Sequence, residues 1–154
     1  MADRAAIMSG GGTEHIVVVP CLRRAVLVLL LAAAVDFLGV HTYPEWEGKP
    51  IDEGLSYTIE NVEGVRAALP GKPIAILEAG WATTAVEFPE QASEENQLRY
   101  YRELQQWARD TNTTVFFFEA FDENWKGGDH PDEVEKHWGL FKADRSPKAV
   151  FITE

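Results

Sequence analysis

The sequence predicts an α/β fold in which parallel strands are joined by crossover helices. Two observations carry this. Short, nearly continuous apolar runs alternate along the chain with longer segments whose apolar residues recur every three to four positions. The helical segments are long enough to return the chain to the same end of a sheet, which makes neighbouring strands parallel and the crossovers right-handed.

In chain order, "HIVVVP" (15–20) reads as a short strand, residues 21–34 as a helix, and "VDFLGVHT" (35–42) as a second strand. Residues 48–54 read as loop. Leu55, Ile59, Val62, Val65 and Leu69 then form a helical stripe that Pro70-Gly71 ends. "KPIAILE" is the third strand, with Ile74, Ile76 and Glu78 on one face by the two-residue period. Residues 79–92 form a long loop. Ser93 caps the next helix, whose first turn carries Glu94 and Glu95, favourable at the positive end of the dipole. Leu98, Tyr101, Leu104 and Ala108 form its inner stripe, with Trp107 beside them. "TTVFFFEAF" is the fourth strand, with Val115, Phe117 and Glu119 sharing a face. A loop over 121–137 leads to "HWGLF" and the closing "DRSPKAV".

The 154 residues suit one domain, preceded by a Gly-rich flexible leader over 1–14. With 25 acidic against 14 basic residues the net charge is −11, which argues against nucleic acid and anionic membrane surfaces as partners. Neutral sugars stay open, and five Trp and eight Phe supply faces on which they stack. The single Cys21 cannot form an internal disulfide. "AVLVLLLAAAV" (25–35) follows Arg23-Arg24; a buried helix, a signal-like leader and a membrane anchor all fit it, although eleven residues are too few to span a bilayer.

Glu78 and Glu119 both stand at strand C-termini, the end at which α/β sheets carry their sites. Adjacent strands lie about 4.8 Å apart, and a retaining glycosidase places two carboxyls about 5–5.5 Å apart. Pattern alone leaves a two-carboxylate site and two solvated strand ends both open. "DHPDEVEKH" (129–137) has no metal-ligand spacing and reads as a solvated loop. Trp107 and Trp138 read as core, as do Phe116, Phe117 and Phe118.

Four stretches in order then carry a specific resemblance. "VDFLGVHTYPEWEGKP", "ILEAGWATT", "FFFEAFDENWKGG" and "VEKHWGLFKADRSPK" resemble the sixth strand, seventh-strand nucleophile motif, eighth strand and closing segment of glycoside hydrolase family 17, in its bacterial form. The resemblance implies that residues 15–154 are the C-terminal part of a (β/α)8 TIM barrel, roughly its last three to four βα units. It implies a retaining glycoside hydrolase or transglycosidase of β-1,3-glucan, with no cofactor and no metal, and an extracytoplasmic or membrane-associated location. Glu78 matches the nucleophile. His41 and Tyr43 would hold it, and Trp81 would wall the subsite beside it. Glu119, Glu123 and Lys126 would bind sugar hydroxyls, and Trp46 and Trp125 would stack on sugar rings. The family's Asn-Glu pair, which supplies the acid/base at the fourth strand, has no counterpart in this sequence. The expected partners are a β-glucan or oligosaccharide and either a second copy or a complementing N-terminal barrel half, because Ile74, Ile76, Val115 and Phe117 would line an uncovered inner face. A non-catalytic glucan-binding or degenerate barrel fragment is the alternative.

Overall fold

The computed structural model describes residues 29–152. The leader over 1–14, the strand over 15–20, Cys21 and the first part of the helix over 21–34 lie outside the described residues. Residues 29–34 are helical. They are followed by β1 (Leu38–Thr42), α1 (Ile51–Ala68), β2 (Ile74–Ala79), α2 (Glu94–Thr111) and β3 (Thr114–Phe117). Both ladders are parallel and the sheet order among the described residues is β1-β2-β3. No described helix is long and apolar enough to cross a membrane.

Helix α1 starts at Ile51, inside the stretch expected to be loop. Pro50 stands at its N-cap, and Asp52 and Glu53 oppose the dipole in the first turn. Gly54 lies inside this helix, and a glycine suits the position because a Cβ there would come within 3.0 Å of Trp81 and 3.2 Å of Tyr100. Helix α2 starts where the sequence places it, with Ser93 Oγ accepting from Asn96 N–H at 3.1 Å. Its buried stripe keeps Leu104 and Ala108 as expected, but Gln97 and Tyr100 stand in it instead of Leu98 and Tyr101. Gln97 is tolerated inside because its Nε2 donates to the carbonyls of Trp81 (2.9 Å), Gly139 (3.1 Å) and Trp138 (3.3 Å).

The main core lies between the sheet and these two helices: Val62, Ile76, Ala79, Trp81, Tyr100 and Leu104, flanked by Ile74, Val115 and Phe117. The expectation that Ile74, Ile76, Val115 and Phe117 face an open barrel interior is therefore corrected. They face the helices, and Leu77 and Phe116 are the exposed residues of the other face.

Strand β2 also breaks its own alternation. Val40 pairs with Ile76 but His41 pairs with Glu78, and on the far side Val115 pairs with Ile76 while Phe117 pairs with Ala79. One extra residue of β2 is accommodated against both neighbours, as in a β-bulge, and everything beyond it changes face. Ala79 enters the helix-side core, while Glu78 turns into a cavity at the strand ends. Glu78 thus does not share the face of Ile74 and Ile76.

Candidate active site

Three loops at the C-terminal end of the sheet build the site. The first is the turn after β1, closed by Glu47 N–H to the Tyr43 carbonyl and Lys49 N–H to the Pro44 carbonyl. The second, after β2, is stitched to the third by Thr83 N–H to the His137 carbonyl and Val86 N–H to the Asp132 carbonyl. The third follows β3 across the cis Phe118–Glu119 peptide. Below them, Lys148 Nζ joins Asp122 (2.7 Å) and Thr83 Oγ1 (2.6 Å), and Asp122 also accepts from Gly139 N–H. Burial pulls the Lys148 ammonium below its ordinary range, against the pull of Asp122.

The cavity at this end holds about 420 Å³ and is lined by Tyr43, Trp46, Glu78, Phe118, Glu135 and Trp138. Glu78 Oε2 accepts from Tyr43 Oη at 2.5 Å and lies 3.1 Å from His41 Nδ1. Burial, then the Glu78 carboxylate, push the Tyr43 phenol above its ordinary range, so it stays a donor. Its ring meets Trp138 and Phe118 edge-on, at 5.3 and 5.8 Å between centroids. The carboxylate is therefore held on one oxygen by two groups of β1 and its loop, within an aromatic wall.

Beside the cavity, Lys126 Nζ lies 2.6 Å from both Glu119 and Glu123. Burial lowers the ammonium's affinity for its proton, and the two carboxylates outweigh it, so Lys126 stays charged. Burial raises the Glu119 carboxyl above its ordinary value despite Lys126, and Glu123 adds to the rise. Lys126 also sits over the Phe118 ring at 4.7 Å and the Trp125 ring at 5.8 Å. Trp125 is 77% exposed and Trp46 50%, so both keep a free face.

The structure thus brings Tyr43, Trp46 and Glu78 together at one cavity, with His41 against Glu78, and gathers Glu119, Glu123, Trp125 and Lys126 into a second cluster next to it. Trp81 is the correction. It is fully buried between α1 and α2, and its indole N–H donates to the Gln91 carbonyl at 3.0 Å. No face is left for a sugar.

Two cavity residues escape sequence reasoning. Glu135 lies in the segment read as solvated loop, but Val134–Lys136 form a 3₁₀ turn with Val134 and Lys136 buried. Lys136 Nζ donates to the carbonyls of Lys126 and Gly128, which folds the loop back over the site. Burial, then the neighbouring Glu133, raise the Glu135 carboxyl above its ordinary value, and Glu78 adds to this. Trp138 is buried as expected for core, yet its ring forms part of the cavity wall. The signal for both was their place at the end of the third loop, which returns to the strand ends.

Known proteins place this arrangement. The model of the BtgE/BtgC glycoside hydrolase domain matches residues 15–139. Glucan 1,3-beta-glucosidase of Arthroderma benhamiae is 31% identical over 136 residues, covering 77% of this chain and 43% of that protein. Among solved structures, the glycoside hydrolase family 17 beta-1,3-glucanosyltransferase of Rhizomucor miehei is 31% identical with a TM-score of 0.71, over 80% of this chain and 45% of that one. An active-site mutant of that enzyme, solved in complex with laminaritriose, matches equally well. The endo-laminarinase of Formosa Hel1_33_131 gives 26% identity and a TM-score of 0.66, over 78% and 39%. The chain spans less than half the length of these relatives. Its parallel βα units form part of a TIM barrel, and its carboxylate cavity stands at the strand ends where such barrels carry their chemistry. By the family match over 15–139 and this architecture, the chain belongs to the BtgE/BtgC glycoside hydrolase domain family, with its likeness to glycoside hydrolase family 17.

Proposed function

We propose that the chain carries the nucleophile side of a retaining glycoside hydrolase or transglycosidase site for β-1,3-glucan, with Glu78 as the nucleophile. One observation carries the reading: Glu78 is turned by the β2 bulge into an aromatic cavity and gripped on Oε2 by Tyr43 and His41. Both contacts fall on one oxygen, which leaves Oε1 to attack the anomeric carbon. The bond to the leaving oxygen breaks as the bond to Oε1 forms, and water or a second sugar hydroxyl then releases the sugar from Glu78. Trp46 and Trp125 offer stacking faces for glucose rings. Glu119, Glu123 and Lys126 offer a charged edge to sugar hydroxyls. The proton for the leaving oxygen is assigned to no residue of this chain. The exposed Leu77 and Phe116 offer the apolar surface that a second copy or a complementing barrel half would cover.

The exposed Trp46 and Trp125 equally support a second reading, in which the chain binds glucan without turnover. An aryl β-glucoside with a good leaving group separates the two, because its departure needs little acid help; general acid catalysis typically supplies about 10²–10⁴-fold for a poor one. A burst of phenol is the expected result. No burst with retained laminaritriose binding by calorimetry favours the second reading, and loss of both contradicts the two together.

A further inference from the structure

Glu45 is a fully buried carboxyl one residue before the half-exposed Trp46. Its Oε2 accepts from Ala82 N–H at 2.5 Å, and its Oε1 has no partner. Ala82 lies near the start of the loop after β2, four residues beyond Glu78. A second contact repeats the connection: Trp46 meets Phe88 of the same loop edge-on at 5.8 Å. Trp46 and Glu78 both line the cavity, so whatever sets the turn after β1 against the loop after β2 also sets the stacking face relative to the carboxylate.

We propose that Glu45 is a positioning residue: its buried carboxyl ties the turn bearing Trp46 to the loop after β2 and thereby fixes the sugar-stacking face of the cavity. This rests on the glucan reading for its purpose but not for its geometry. Burial pushes the Glu45 carboxyl up to about 8, against the pull of the Ala82 N–H. A neutral acid tolerates an unpaired buried Oε1, whereas a carboxylate does not. Its ordered-state value is raised, so the stabilisation is complete below the ordinary carboxyl range and is lost as pH rises through about 8. The ionisable groups on the same segments are Tyr43, Glu47 and Lys49 on its own turn, Glu87 and Glu90 on the loop after β2, and Lys148 and His137, which hold Thr83 beside Ala82.

The test compares the parent chain with Glu45→Gln and Glu45→Ala, each checked for folding by circular dichroism. Trp46 emission is isolated as the difference from the same protein carrying Trp46→Phe. In the parent this emission should move to longer wavelength as pH rises through about 8. It should stay flat in Glu45→Gln and be already shifted in Glu45→Ala. Laminaritriose affinity should fall roughly tenfold across the same pH window in the parent and not in Glu45→Gln. The proposal is overturned if Glu45→Gln keeps the parent's pH dependence, or if Glu45→Ala leaves Trp46 emission unchanged. Absence of laminaritriose binding at every pH would instead count against the glucan reading, and the emission, which needs no sugar, still decides the role of Glu45.

Discussion

Replacing Tyr43 by Phe should slow phenol release from an activated aryl β-glucoside by roughly 10- to 100-fold, and replacing Glu78 by Gln should abolish it. The first figure follows from the bond lost. Tyr43 Oη donates to Glu78 Oε2 at 2.5 Å, and a hydrogen bond to a charged group contributes about 1.5–3 kcal/mol. Each 1.36 kcal/mol is about tenfold in rate. Without the phenol, the carboxylate keeps only His41, which is half-exposed and less able to hold an orientation. Phe preserves the edge-on contacts with Trp138 and Phe118, so the fold should melt as the parent does. Stopped-flow absorbance gives the rate and circular dichroism the control. A Tyr43→Phe burst as fast as the parent's would mean that this contact does not position the nucleophile.

Trp81→Ala should destabilise the chain by about 3–5 kcal/mol, the range for truncating a large aromatic in a packed core. Trp81 is fully buried among Val62, Ile76, Ala79, Tyr100 and Leu104. Its ring lies 5.5 Å from Tyr100 and against Gly54 of α1. Truncation opens a cavity where the two helices meet the sheet and also leaves the Gln91 carbonyl without its indole donor. Trp125→Ala should do the reverse. That side chain is 77% exposed, so stability should stay within about 0.5 kcal/mol while laminaritriose affinity falls. Urea unfolding and calorimetry on both variants separate the roles. A stable Trp81→Ala that loses only sugar affinity would restore the wall role that burial denies it.

The contrast between these tryptophans shows what the sequence made legible. Element order was readable because each boundary carries local chemistry: Pro70-Gly71 after α1, Ser93 as the α2 cap, continuous apolar runs for strands. That Glu78 is a carboxylate at the end of β2 was readable because the strand end is a local feature. Side-chain direction was not. Alternation alone places Glu78 with Ile76, and the extra residue in β2 that reverses it is specified by pairing with two neighbouring strands, which no window of β2 encodes. The first turns of α2 differ similarly: Leu104 and Ala108 are buried as expected, but Gln97 and Tyr100 take the inner places expected of Leu98 and Tyr101. Gln97 is an inner residue only because three carbonyls from two loops converge on it. Glu135 and Trp138 reach the cavity through the fold-back of the third loop, held by Lys136, a lysine that composition alone would leave at the surface.

In the proposed reaction Glu78 is the nucleophile that forms the covalent bond to the anomeric carbon. Incubation with a 2-deoxy-2-fluoro-β-glucosyl donor, which forms the glycosyl-enzyme and releases it slowly, followed by peptide mass spectrometry, addresses it directly. One adduct is expected, on the peptide containing Glu78, and none in the Glu78→Gln protein. An adduct on Glu119, Glu123 or Glu135, or an unmodified parent chain that still binds laminaritriose, would contradict it.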